Sequence, residues 1–309
     1  MSGPVPAAAS LAPTARRWTL GHTPQERLAY KLLLPVLGIV FIIVLLPFLV
    51  ALISSLRQGG DGAFVGGQNY ARAVRNPLLY DALRATGLYA LIVLPTEIVL
   101  GTGLALLVNR VVRSPNLRAL IFVFAIIPIV IPPVGVGVIA RLIYAPDYGA
   151  LNYLLQLAGL IQQEIPWLSR PTTAMLSVAS VDIWQWTPFV YLVMFAGLQT
   201  VPRESLEAAQ VDGASWWQQF VRIELFYLRP LLLLVLFLRL ADVLRAFDAI
   251  FVLTGGGPGT ATQLLSLYLY RVGFKFFNSG EAAALAIMVL VGMSLLYSGV
   301  ARLLPVERD

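Results

Sequence analysis

Six long apolar runs, over 32–56, 85–108, 119–143, 172–198, 231–253 and 282–304, constrain this chain more than anything else in it. A helix needs roughly 20 mostly apolar residues to cross the hydrocarbon core of a bilayer, and each run is of that length. With 58% hydrophobic residues, 12% charged residues and a mean hydropathy of +0.79, a soluble globular domain is excluded. The linkers are too short to hold a separate soluble domain. The expected fold is therefore all-α: one polytopic bundle of six transmembrane helices over residues 29–309, behind a polar tail over 1–28 rich in Ala, Pro and Arg. Arg16 and Arg17 precede the first run as in a signal peptide. That run is too long and lacks a small-residue cleavage site, so a retained span is expected.

Residue types then exclude several chemistries. There is no cysteine, hence no disulfide and no thiolate metal site. The sole histidine, His22, lies in the tail, so neither a metal site nor a catalytic residue is expected. No Gly-x-x-x-x-Gly-Lys-Ser/Thr pattern occurs, so the chain itself should not bind ATP through a P-loop. The net charge of +6 does not by itself mean nucleic acid. With both termini inside the cell, twelve basic residues fall on the cytoplasmic side and seven on the outer side, which obeys the positive-inside rule.

One extended polar stretch, 202–230, separates the fourth and fifth runs. Pro202 suits a first helical position, Glu204 adds an acid to the first turn, and Gly213 suits a helix stop. Ser215 with Gln218 three residues on makes a capping-box pattern that restarts the helix. Trp216, Phe220 and Ile223 then give the second short helix an apolar face. Glu207 beside Ala208 and Ala209 offers a charge next to side chains small enough to admit another backbone. Helix chemistry alone leaves two readings open: an interfacial connector with no partner, or a docking element.

Glu207-Ala208-Ala209, followed by Asp212-Gly213-Ala214, Phe220, Ile223, Leu225 and Pro230, resembles the EAA coupling loop of importer permeases of the ATP-binding-cassette superfamily. Phe226 stands where that family usually has proline. Three further stretches are similar to its sugar-importer branch. These are Phe64-Val65-Gly66-Gly67 with Asn69-Tyr70, Thr254-Gly255-Gly256-Gly257-Pro258, and Gly280-Glu281-Ala282-Ala283-Ala284. Asp147-Tyr148-Gly149 with Asn152, then Trp167-Leu168, resembles the loop between its third and fourth spans. The resemblance implies the architecture of a type I importer permease and a location in the cytoplasmic membrane. It also implies a second permease subunit, two cytoplasmic ATPases that hold ATP and Mg, and an external sugar-binding protein. Glu207 would seat the loop at 200–230 in an ATPase cleft, and Gly213 would permit the turn between its short helices.

Ionisable groups inside spans are costly and usually face a bundle interior or an aqueous cavity. Here they are Glu97, Asp182, Arg239, Asp242, Arg245 and Asp248. The last four recur every third residue with alternating sign, so neighbours can pair at i, i+3. They are either an ion-pair ladder against another subunit or a polar lining for a hydroxyl-rich solute. The third run carries Pro128, Pro132 and Pro133 with Gly135 and Gly137, which suits a kink or close helix packing. The resemblance to maltose-type permeases brings solute contacts onto Asp182, Gln185, Trp186 and Phe189, and onto Arg239, Asp242, Val243 and Ala246. It implies a carbohydrate, with a disaccharide such as maltose or trehalose preferred and a glycerol phosphate or polyol as the alternative. A secondary transporter driven by ions would use the same charges as a relay, but does not account for the loop at 202–230.

Overall fold

A computed structural model describes residues 24–302 of the chain, all of it helices and their connections apart from one isolated bridge between Arg57 and Phe64. The expected tail over 1–28 therefore lies largely outside the described residues, and helix α1 (Pro24–Val40) already opens within it. A five-residue π-helical turn, Phe41–Leu45, continues α1 into α2 (Leu46–Ser55). Residues up to Val50 form a unit of their own. Its residues from Leu32 to Val44 are apolar throughout, a surface suited to lipid or to an apolar partner.

The second unit runs from Ala51. Its helices are α3 (Gln68–Arg75), α4 (Pro77–Val111), α5 (Pro115–Val130), α6 (Pro133–Ile143), α7 (Ala150–Leu157), α8 (Pro171–Leu198), α9 (Arg203–Val211), α10 (Trp216–Gln219), α11 (Leu225–Arg245), α12 (Asp248–Leu253), α13 (Leu265–Tyr270) and α14 (Ser279–Arg302). Four of them (α4, α5, α6 and α8) begin with proline at the first helical position, where the missing N–H costs nothing. Asn76 and Ser114 cap two of these starts by accepting from Leu78 N (3.1 Å) and Leu117 N (3.4 Å).

Helix α4 is the spine. It contributes Tyr89 and Val93 to a core with Val178 and Ile250, Ala105 to a second with Val190, Met194 and Leu228, and Ala82 to a third with Tyr268 and Leu285. Its close approach to α8 depends on Gly101. A Cβ there would stand 2.5 Å from Val190 Cβ and 2.9 Å from the Tyr191 backbone nitrogen. Two buried asparagines tie down the loops. Asn69 donates to the carbonyls of Ser55 (2.8 Å) and Arg57 (2.9 Å), while Asn152 donates to Pro146 and Ile165 and accepts from Trp167 Nε1 (2.8 Å).

Two expectations change. The third apolar run is not one straight helix. It breaks at Ile131–Pro132 and turns by 94° between α5 and α6, because consecutive prolines remove two backbone donors. The fifth run breaks as well: α11 ends at Arg245, Ala246 is extended, and α12 restarts at Asp248. Asp248 thus opens a new helix and does not extend the ladder of Arg239, Asp242 and Arg245. Among the described residues, three single helices are long and apolar enough to cross a membrane, or four if the bent α5–α6 pair counts as one span. The other two long helices, α8 and α11, carry the polar side chains described next.

Candidate translocation cavity and coupling loop

The two helix breaks meet across α8 and enclose a cavity of about 340 Å³. Its wall takes Tyr89 from α4, Pro133 from α6, Asp182, Gln185 and Trp186 from α8, and Arg239, Asp242 and Arg245 from α11, with Ala246 and Phe247 at the break. Arg239 is the central charge and is 1% exposed. Its Nε donates to Glu97 Oε2 at 2.8 Å, and its Nη2 donates to Glu97 Oε1 at 2.9 Å and to Asp182 Oδ2 at 2.7 Å. Its third nitrogen faces Asp242 at 3.6 Å, and the guanidinium carbon lies 4.9 Å from the centre of the Trp186 ring. Three carboxylates therefore surround one guanidinium. The Glu97 arm is wholly buried, whereas Asp182 and Asp242 open progressively toward the cavity, with side chains 17% and 40% exposed. Asp242 also accepts from Arg245 at 2.9 Å.

Of the residues singled out in the sequence, Asp182, Gln185, Trp186, Arg239, Asp242 and Ala246 line this cavity. Phe189 and Val243 do not. Phe189 packs among the α4–α8–α11 apolar side chains, edge-on to Trp186 at 6.4 Å, and Val243 is buried in the α4–α8–α12 core. Phe189 shares the face of Gln185 but lies one turn further along α8, past the cavity, and Val243 is turned about 100° around α11 from Asp242. Gln185 also satisfies a broken backbone, since its Nε2 donates at 2.9 Å to the Ile131 carbonyl, freed by the break after α5. Glu97 is the group that sequence reasoning left outside the site. Its signal was a lone carboxylate in an apolar run, but nothing in the sequence pairs it with a residue 142 positions away.

The loop 200–230 is built as its capping chemistry requires. Helix α9 follows Pro202, which sits one position before the helix proper, and none of its residues is buried. Gly213 has φ +75°, and its N–H and that of Ala214 return to the Gln210 and Ala209 carbonyls at 3.0 and 2.9 Å, a Schellman stop. Ser215 N donates to Gln218 Oε1 at 2.7 Å and Gln218 N to Ser215 Oγ at 3.4 Å, the reciprocal capping box. Glu207, Ala208, Asp212 and Gly213 stand exposed, with Ala209 and Ala214 half-buried behind them. Where the missing proline left the exit open, α10 runs through a π-helical turn, Phe220–Glu224, straight into α11.

The profile of the family described as "Binding-protein-dependent transport system inner membrane component" matches residues 97–305, which takes in the loop and all of the cavity wall except Tyr89. The chain is 40% identical over 233 residues to the probable ABC transporter permease protein y4oQ of Sinorhizobium fredii, covering 75% of this chain and 74% of that one. It is 32% identical over 274 residues to the trehalose/maltose transport system permease protein MalF of Thermococcus litoralis, covering 86% and 90%. Over 281 residues it is 32% identical to the sulfoquinovosyl glycerol transport system permease protein SmoG of Agrobacterium fabrum, covering 88% and 89%. A solved chain of a bacterial ABC transporter involved in import of the acidic polysaccharide alginate has the same fold, with a TM-score of 0.80 at 24% identity over 90% of this chain and 95% of that one. The chain belongs to the binding-protein-dependent inner membrane components, the permease subunits of ATP-binding-cassette importers.

Proposed function

We propose that this permease forms half of the pathway of a sugar importer and that the cavity around Arg239 receives the solute. One observation carries the reading: two helices break beside the same cluster of charges, which leaves polar side chains and an aromatic ring facing 340 Å³ of space. Broken helices at membrane depth are tolerated where the backbone lines a cavity or is buried in protein. Asp182 and Asp242 supply hydrogen-bond acceptors for hydroxyl groups, and Trp186 supplies a face for the apolar side of a ring. Arg239 is engaged by Glu97 and Asp182, and Arg245 by Asp242, so both cavity cations are already matched by carboxylates, and a neutral disaccharide such as maltose or trehalose fits this charge balance better than a glycerol phosphate. The trehalose/maltose name of one relative supports the same choice.

Around this subunit we place a second permease, two cytoplasmic ATPases that hold ATP and Mg, and an external binding protein that delivers the sugar. Both termini and the loop 200–230 face the cytoplasm, where Glu207 and the small surface at Ala208 and Ala209 enter an ATPase cleft. ATPase closure then rocks the permeases as rigid bodies between outward and inward access. The test is uptake by the assembled transporter carrying Asp182→Ala or Asp242→Ala. Each variant is expected to assemble in normal amounts and to lose uptake. Wild-type uptake kinetics in both would remove the solute from this cavity.

A further inference from the structure

The cytoplasm-proposed end of α4 carries contacts that neither the cavity nor the loop's docking surface accounts for. Two consecutive residues in the last turn of α4 hold the loop 200–230 at both of its ends. On the incoming side, Gln199 Nε2 donates to Asn109 Oδ1 at 2.9 Å, immediately before the loop begins. On the outgoing side, Arg110 Nη2 donates to Glu224 Oε2 at 2.7 Å and Nη1 to the Trp216 carbonyl at 3.4 Å, with the guanidinium carbon 5.4 Å from the centre of the Trp216 ring. Glu224 is buried, its side chain only 4% exposed, and Arg110 is its one ionic partner among the described residues. The α4 terminus is itself braced, since Arg118 of α5 donates to the Val112 and Asn109 carbonyls at 2.7 and 3.2 Å. Toward the membrane interior, α4 carries Glu97 into the Arg239 cluster.

Helix α4 and the segment from Glu224 through α11 are thus joined twice by ion pairs of opposite sense: Glu97 to Arg239 at the cavity and Arg110 to Glu224 at the loop. Loop and cavity are linked through one continuous helix. We infer that Asn109 and Arg110 are positioning residues that anchor the coupling loop to α4, so that displacement of the loop moves α4 and α11 together and reaches the cavity through Glu97 and Arg239. The inference rests on the proposed coupling role of the loop.

The test is a charge exchange in the complete transporter reconstituted in vesicles, with sugar transported per ATP hydrolysed as the readout. A contact that only stabilised the fold would change the amount of transporter assembled and leave this ratio unaltered. Arg110→Glu and Glu224→Arg, singly, are expected to lower the ratio by at least about fivefold, the lower range of typical coupling between sites. The double variant, which rebuilds the pair in reverse, is expected to return it to within about twofold of wild type, since contacting residues are non-additive. If the single variants fail to assemble, the double variant is still expected to assemble and couple. The anchor is overturned by single variants that keep the wild-type ratio, or by a double variant that does not couple. A wild-type transporter that needs no ATPase would overturn the underlying reading of the loop instead.

Discussion

At the scale of single residues, the Arg239 cluster decides most. A guanidinium this deeply buried persists because Glu97 meets it with two parallel hydrogen bonds, the geometry that best offsets desolvation. Removing one member of a buried pair strands the other, at a cost of about 3–5 kcal/mol. Glu97→Gln is therefore expected to lower the stability of the purified permease by about that amount, read as unfolding in detergent. Asp182→Ala, which leaves the Glu97 arm intact, is expected to be much milder in that assay while abolishing uptake. Equal stability losses in the two would show that Glu97 holds no special place. The sequence marked all of these charges as out of place in apolar runs. It could not say which met which, because Glu97, Asp182 and Arg239 come from three helices whose contact is a tertiary fact.

At the scale of elements, legibility followed local chemistry. The Schellman stop at Gly213 and the capping box at Ser215 and Gln218 were readable because each joins residues only a few positions apart. The turn after α5 was half readable: Pro132 and Pro133 announced a disturbance, but a 94° turn depends on what α6 packs against, here α12 and α8. The break at Ala246–Phe247 carries neither glycine nor proline, so a continuous fifth span was the natural expectation. What ends α11 there is tertiary. The Ser266 hydroxyl donates to the Ala246 carbonyl, and Phe247 leans on Tyr270 with ring centres 5.2 Å apart. For the loop, Gly213→Asp puts a charged side chain on a left-handed backbone at up to about 1 kcal/mol, since aspartate tolerates that region better than most residues, and Glu207→Lys reverses the charge offered to the partner. Both are expected to leave the permease folded and to cut transport per ATP by about tenfold. Wild-type accumulation of sugar by both variants would give the loop another role.

At the scale of the whole molecule, the chain makes sense only as part of an assembly. It presents apolar side chains along α4, α5 and α14 that suit lipid or a second permease, a polar cavity walled by one subunit, and an exposed short helix with no buried residue of its own. The membrane character was legible from the apolar runs, and the family from the loop. The shape of the pathway was not, since it comes from two helix breaks brought together by α8. The absence of native cysteine gives a clean way to test the central claim, that the loop 200–230 is gripped by an ATPase in the cytoplasm. Ala208→Cys, in a transporter assembled with its ATPase, should cross-link to that subunit with a short thiol-reactive linker and resist a membrane-impermeant thiol reagent added outside intact cells. An Ala208→Cys side chain that reacts from outside, or forms no cross-link in a complex that still hydrolyses ATP and transports, would contradict the account.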